Sequence, residues 1–444
     1  MPFDLHVSQL HGSLADPVMR SMQFLNEVSS RYPDAVSFAA GRPTEAFLDG
    51  DALPRYIDRF RQHLRVECRM SDEAVRTALF QYGPTKGLIR DLLVRYLWVD
   101  EGIVADPEAV VVTVGCQEAM FLVLRAFRSG PEDVLLAVAP TYVGLTGAAR
   151  LLDLPVWPVP AGELGVDLEA LRGAVRLARA AGRRPVACYV MPDFANPLGV
   201  SMPVEARRAL LDLAREEGLL LLEDNPYGLF GAGESRPPTL KALDADAQVV
   251  YLASLAKSGF PGARVGFVVA DQVVRDEAGG GSLLADHLAA VKSMVTVNTS
   301  TLGQAALGGK LLEHGCSLLA ANRDEIELYR RNRTALLAGL ARIRTEVPIS
   351  WNQPNGGFFV VVTVPFPVDD GLLELSARRF GVLWTPMASF YEPPGGRCQL
   401  RLSFSALTEG DVDEGLDRLR AFIADVLTGS KVSSPALDPC LGPC

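Results

Sequence analysis

Apolar residues fall along this chain in short unbroken runs, separated by stretches in which they recur every three or four positions. The runs lie at 110–114, 134–138, 154–158, 186–191, 219–223, 248–252 and 265–270. Short runs bounded by turn residues are the mark of strands buried on both faces. Between them, helical periodicity predicts helices over 117–128, 167–182 and 203–218. That alternation predicts an α/β fold, a mostly parallel seven-stranded sheet with helices on both faces. A long helical pattern over 316–345 then leads into a smaller α+β unit with strands at 357–363, 382–385 and 399–404 and a closing helix at 409–427. The division expected is an arm (1–36), a large cofactor-binding domain (37–315), a small domain (316–428) and a tail (429–444). The arm carries a short amphipathic pattern around Met19, Met22, Phe24, Leu25 and Val28. The tail is rich in Ser, Pro and Gly and reads as disordered. Gly279-Gly280-Gly281 lacks the strand-to-helix setting of a phosphate loop and reads as a turn.

Four of the strands run into polar residues. Gly115-Cys116-Gln117-Glu118 follows the run ending at Val114, and Asn196-Pro197-Leu198-Gly199 follows Tyr189-Val190-Met191. Asp224-Asn225-Pro226-Tyr227 follows Leu219 to Leu222. Ser254-Leu255-Ala256-Lys257 follows Val249-Val250-Tyr251, with Arg264 seven residues beyond Lys257. In open α/β sheets the ligand crevice lies outside the carboxyl ends of the strands. Taken singly, each segment has a plainer reading: a surface lysine, an ordinary turn, an arginine paired with any carboxylate. Taken together they meet the needs of one cofactor, pyridoxal 5′-phosphate. Lys257 supplies an amine for a Schiff base. Asp224 supplies an acid beside the pyridine nitrogen. Asn196 and Tyr227 supply donors to the ring oxygen. Gly115, Cys116 and Gln117 lead into a helix whose N-terminus favours an anion, and Arg264 and Ser254 add further donors to the phosphate.

With these residues in view, the chain resembles the fold-type I pyridoxal-phosphate-dependent aminotransferases of class I/II, in particular the kynurenine/2-aminoadipate aminotransferase branch. The resemblance spans about residues 35–425. Besides the segments above, it rests on Ser37-Phe38-Ala39-Ala40-Gly41, Gln81-Tyr82-Gly83-Pro84-Thr85-Lys86-Gly87, Pro140-Thr141-Tyr142 and Arg401-Leu402-Ser403-Phe404-Ser405. It implies that Tyr142 stacks on the cofactor ring and that Tyr82 reaches the phosphate of a neighbouring subunit, so a homodimer is expected. It also implies that Arg401, with Asn196 and Gly41, holds the substrate carboxylate; a planar guanidinium suits that task. The catalytic set it implies is Lys257, Asp224 and Tyr227, with transfer of an amino group between an L-amino acid and a 2-oxo acid in two half-reactions. Cys116 stands where the family often has Ser or Ala, and Ala256 where it often has Ser or Thr; the second removes a hydroxyl from the phosphate cup. The segments 10–17 and 24–28 are similar to those of aminotransferases that make non-proteinogenic amino acids, notably arylglycines, in peptide-antibiotic pathways. Arg20 and Arg42 are candidates for a distal substrate carboxylate, but read more simply as surface or salt-bridged residues.

Composition narrows the partners. At 444 residues, 48% hydrophobic and 22% charged, the chain is an ordinary globular enzyme in make-up and long enough for two domains. A formal net charge of −10 argues against nucleic acid as its partner. Seven scattered cysteines read as reduced thiols of a cytoplasmic protein. The Cys440–Cys444 spacing and the five histidines form no metal site, so no metal is expected. Neither a leader peptide nor a membrane span is legible. Two other functions fit the same fold: elimination or cyclisation of an amino acid, and a regulator fusing this fold to a DNA-binding module. The regulator needs a basic segment of about sixty or more residues ahead of the fold, against about 35 residues here.

Overall fold

The apolar runs lie side by side because each is apolar toward both of its faces. In the computed structural model, which describes residues 4–16, 19, 27–162, 165–231, 233, 236–391 and 395–429, the strands in chain order begin with β1 (Val36–Ser37), β2 (Val110–Thr113), β3 (Asp133–Ala139), β4 (Val156–Gly162) and β5 (Gly165–Val166). β6 (Arg184–Val190), β7 (Leu221–Asp224), β8 (Val249–Ser254) and β9 (Gly266–Val269) follow, then β10 (Val273–Arg275) and β11 (Gly281–Leu283). The last are β12 (Ser350–Trp351), β13 (Phe359–Thr363), β14 (Val382–Leu383), β15 (Thr385–Pro386) and β16 (Gln399–Ser403).

The central sheet has the order β2-β9-β8-β7-β6-β3-β4-β5. It is therefore eight-stranded, not seven. The added strand, β5, is two residues folded back antiparallel on the end of β4, too short for any periodicity to mark it. Strands β4, β3, β6, β7 and β8 run parallel, while β9 runs antiparallel to both of its neighbours. β4 starts two residues later than expected and crosses Pro158 and Pro160; among the described residues its outer edge pairs with β5 at Ala161 and Gly162, so the N–H donors the prolines lack cost little. Alternate residues face opposite ways. Val111, Leu135, Tyr189, Leu222 and Val268 pack on one side, with the helix Cys116–Phe127. Val112, Tyr251 and Phe267, and farther along Leu136, Cys188 and Leu221, pack on the other.

A second sheet, β12-β13-β16-β15, is antiparallel throughout. The single strand expected at 382–385 is divided: β14 pairs with β1, and β15 pairs with β16. Trp384 sits at the division, fully buried, its indole N–H donating to Ser376 Oγ at 3.1 Å. β1 and β14 thus form a two-stranded sheet of their own, tied to the end of the second sheet where Ser403 N–H donates to the Phe38 carbonyl. The long helix is broken into Leu318–Ala321 and Arg323–Ile343. At the break, buried Asn322 spends its amide on the Leu318 and Ser258 carbonyls, and such side-chain bonding competes with the helix.

Gly279–Gly281 turns the β10–β11 hairpin, as expected. Met22, Phe24 and Leu25 of the arm lie outside the described residues, as does the tail from 430; residues 27–31 are helical and Val28 is buried. The expectation of seven reduced thiols fails at Cys398, which is disulfide-bonded, whereas Cys68, Cys116, Cys188 and Cys316 are free. Pairing depends on Cβ separation in the fold, which chain spacing does not give. Among the described residues no helix is long and apolar enough to cross a membrane, and no group of His, Cys, Asp and Glu is placed to hold a metal.

Candidate active site

The carboxyl ends of β2, β6, β7 and β8 open onto a cavity of about 420 Å³. The residues expected to hold the cofactor or the substrate α-carboxylate line it, except Tyr82, which is 83% exposed on the surface of its own chain.

The floor is built by short turns. After β2 the chain reverses at Gly115, whose φ of 75° is open to glycine and strained for other residues. A Cβ there would lie 2.7 Å from Arg264 Nη2, so glycine is also what lets that guanidinium close on the turn. Cys116 then starts a helix whose first N–H groups have no acceptor within it. The turn is fixed from behind: Val114 N–H donates to Glu118, which is buried against Lys292 at 2.9 Å. Arg264 itself has φ 50° and follows a short turn from Pro261 to Ala263. Ser254 ends β8, its hydroxyl accepting from Ala256 N–H at 3.4 Å. The Gln117 side chain turns to the Gly144 carbonyl, leaving its backbone as its contribution to the floor. This cluster of a guanidinium, a hydroxyl and helix N-terminal amides is suited to a phosphate.

Lys257 donates to the Gly41 carbonyl at 2.6 Å. Burial, with the charges of Arg401 and Arg264, lowers its ammonium to about 8. Asp224, at the end of β7, is 2% exposed. Burial raises its carboxyl to about 6, against the pull of hydrogen bonds from Tyr189 and Cys116. Tyr189 O–H donates to Oδ2 at 2.6 Å and the Cys116 thiol to Oδ1 at 3.4 Å. Tyr142 lies beside them, its phenol raised to about 12 by burial and the nearby carboxylate.

The opposite wall comes from the second sheet. Arg401, on β16, donates to Asn196 Oδ1 at 2.6 Å, to the Ala39 carbonyl at 3.2 Å and to Thr385 Oγ1 at 3.4 Å. Its guanidinium lies 4.1 Å from the centroid of the Phe359 ring and 5.2 Å from that of Phe390. Its Nε is buried without a hydrogen-bond partner. Burial lowers it to about 10, with Tyr227 and Tyr142 acting the other way. A Cβ on Gly41 would stand 2.4 Å from the Phe359 ring, so that glycine makes room for the ring. Tyr227 packs edge-on against Phe358 and Phe359, and burial raises its phenol well above the ordinary value. With Asn196 Oδ1 occupied by Arg401, its Nδ2 is left as a donor.

Tyr189 and Phe359 were legible only as parts of strands, and Phe390 carried no signal. The signal for Tyr189 was its register: it pairs with Leu222, two residues before Asp224, and so faces the same side of the sheet. Arg42 lines the cavity but pairs with Glu45 at 3.4 Å, as a salt-bridged surface residue does, and Arg20 lies outside the described residues.

The model of the family "aminotransferase class I and II" matches residues 47–419. The chain is 54% identical to (S)-3,5-dihydroxyphenylglycine transaminase of Amycolatopsis orientalis, over 94% of each chain. It is 33% identical to 2-aminoadipate transaminase of Thermus thermophilus, over 87% of this chain and 89% of the relative. A solved α-aminoadipate aminotransferase of Thermus thermophilus, complexed with N-(5′-phosphopyridoxyl)-L-leucine, superimposes with a TM-score of 0.76 at 30% identity, over 96% of this chain and 100% of the other.

Proposed function

The chain belongs to the class I and II aminotransferases, which are pyridoxal-phosphate-dependent enzymes of fold type I, and on that premise we propose how its residues divide the work and what they act on. Pyridoxal 5′-phosphate is the cofactor, and the cavity fits it. The Gly115 turn, closed by Arg264 where a Cβ would collide, forms a phosphate cradle with Ser254 and the Cys116 and Gln117 amides. Asp224 takes the pyridine nitrogen, Asn196 Nδ2 and Tyr227 donate to the ring oxygen, and Tyr142 covers the ring. When bound, the cofactor supplies an electron-withdrawing ring that makes the substrate's α-proton acidic.

The remaining chemistry belongs to the chain. Arg401, at the cavity wall, holds the substrate carboxylate with its planar guanidinium. Gly41 keeps the backbone thin beside that grip. Lys257, with its ammonium lowered to about 8, releases a proton near neutrality, takes the α-proton of the amino acid and returns it to the other side of the transfer. One amino acid leaves as a 2-oxo acid, and a second 2-oxo acid takes up the amino group, a ping-pong exchange. The single observation that carries this assignment is the meeting of Lys257, Asp224 and Arg401 around one cavity.

The substrate proposed is an arylglycine, a non-proteinogenic amino acid of peptide-antibiotic biosynthesis. Its support is the 54% identity to the dihydroxyphenylglycine enzyme and a cavity walled by Tyr142, Phe359 and Phe390. The pairing of Arg42 with Glu45 favours a neutral side chain over an acidic one. The working form proposed is a cytoplasmic homodimer in which Tyr82 completes the partner's phosphate cup. The test is a matrix of amino donors (3,5-dihydroxyphenylglycine, 4-hydroxyphenylglycine, 2-aminoadipate, kynurenine) against 2-oxo acid acceptors, read by product and by cofactor absorbance. Highest kcat/KM is expected for an arylglycine, and only with an acceptor present. Preference for 2-aminoadipate would overturn the substrate, and multiple turnover without acceptor would point to elimination or cyclisation.

A further inference from the structure

Asp224 is held by two donors that the amino-group transfer itself does not use. Tyr189 and Asp224 lie on neighbouring parallel strands, β6 and β7, on the side of the sheet covered by the helix Cys116–Phe127. Tyr189 is 2% exposed and its hydroxyl donates to Asp224 Oδ2 at 2.6 Å. Asp224 lines the cavity and Tyr189 does not, so the phenol reaches the carboxylate from the protein side. Cys116 enters from the first position of its helix, and its thiol donates to the other oxygen, Oδ1, at 3.4 Å. Both oxygens therefore carry a donor, and neither donor is a cation. A carboxylate has about four acceptor positions, so the pair leaves room for the pyridine N–H.

We propose that Tyr189 and Cys116 are positioning residues that keep Asp224 ionised and aimed, and through it keep the cofactor's pyridine nitrogen protonated. The proposal rests on the reading of Asp224 as the partner of that nitrogen. A buried carboxylate with no charged partner would otherwise take up the shared proton itself, because burial favours its neutral form. Hydrogen bonds to the ionised form work against that. Removing one raises the proton affinity of Asp224, so the shared proton moves from the nitrogen toward the carboxylate. A thiol is the weaker donor, so Tyr189 carries more of the effect. A merely structural role is the alternative: a buried Tyr O–H needs some acceptor, and Asp224 is the one within reach.

The experiment uses holoenzyme reconstituted with pyridoxal 5′-phosphate labelled with ¹⁵N in the ring. The ring nitrogen's chemical shift reports its protonation directly, independent of turnover. Tyr189→Phe, Cys116→Ala, Cys116→Ser and Asp224→Asn are compared with the parent. In Tyr189→Phe the signal is expected to move toward the unprotonated position, with kcat down about tenfold to a hundredfold and KM changed far less. Cys116→Ala moves it the same way by less, and Cys116→Ser, which restores a donor, brings it back. Should Tyr189→Phe fail to fold, the two Cys116 variants read the same property at the other oxygen. A ring signal unmoved in Tyr189→Phe, or in Cys116→Ala where only that pair folds, overturns the proposal, provided that Asp224→Asn does move it. If Asp224→Asn leaves the signal unmoved as well, it is the assignment of Asp224 to the ring nitrogen that fails.

Discussion

At the scale of single residues, the site works by drawing ordinary side chains away from bulk water. Lys257 is the plainest case. Partly buried at the cavity wall, near the guanidinium groups of Arg401 and Arg264, its ammonium is lowered to about 8. At pH 7 about a tenth of such amines are neutral, against about one in three thousand at the ordinary value. Only the neutral amine attacks an aldehyde, so cofactor uptake by the apoenzyme should rise about tenfold per pH unit below 8 and level off above it. Stopped-flow absorbance after adding cofactor to apoprotein measures this; a rate still climbing through pH 9.5 would mean that burial does not lower Lys257. The residue types in the site were legible because each belongs to a short, chemically loaded segment at a strand end. Tyr189 and the thiol of Cys116 were not. Their hydrogen bonds to Asp224 depend on strand register and helix placement, and neither is written in the spacing of the chain.

At the scale of elements, the site depends on turns more than on the strands they join. Gly115 combines a φ of 75° with a Cβ direction that runs 2.7 Å from Arg264. Gly115→Ala should therefore displace Arg264 and loosen the phosphate cradle, weakening cofactor binding at least tenfold, the effect of losing about one charge-assisted hydrogen bond. Equilibrium dialysis of the cofactor against the variant checks this, and an unchanged Kd would show that the cradle does not need the turn as it stands. The strands were readable because seven apolar runs, buried on both faces, leave an unbroken signal. Several helices were not. Thr301–Glu313 is buried from Gln304 through Leu311 and so has no polar face to give it a period. Val143–Leu151 is likewise buried along most of its length and carries two glycines. The long pattern expected over 316–345 overran its break, because Asn322 bonds to the Ser258 carbonyl, in the segment following Lys257, rather than continuing the helix. The contact that holds that segment is the reason for the break, and it joins residues 64 positions apart.

At the scale of the molecule, the cavity is closed by two sheets meeting: Asp224 and Lys257 come from the central one, Arg401 and Phe359 from the second. Tyr82 takes no part in it within one chain. At 83% exposure, beside exposed Phe80 and on a loop whose Gly83 faces Thr301, it suits a residue given to a second subunit. Lys257→Ala subunits, which keep Tyr82, and Tyr82→Ala subunits, which keep Lys257, should each be inactive or nearly so. In a mixed dimer one site carries both defects and the other neither, so tag-purified mixed dimers should regain about half of parental activity per dimer, as the shared sites of a twofold assembly require. Mixed dimers as inactive as their parents would show that Tyr82 does not act across an interface. The twofold pairing was implied by resemblance alone, since nothing in one chain's pattern of apolar positions distinguishes a covered face from a bare one. What the whole arrangement stands on is Lys257 as the residue that bonds the cofactor. The most direct measurement is borohydride reduction of the yellow holoenzyme, followed by peptide mass spectrometry to locate the phosphopyridoxyl group. The expected result is a single adduct on Lys257, lost in Lys257→Ala; an adduct on another lysine, such as Lys241 or Lys310, would contradict it.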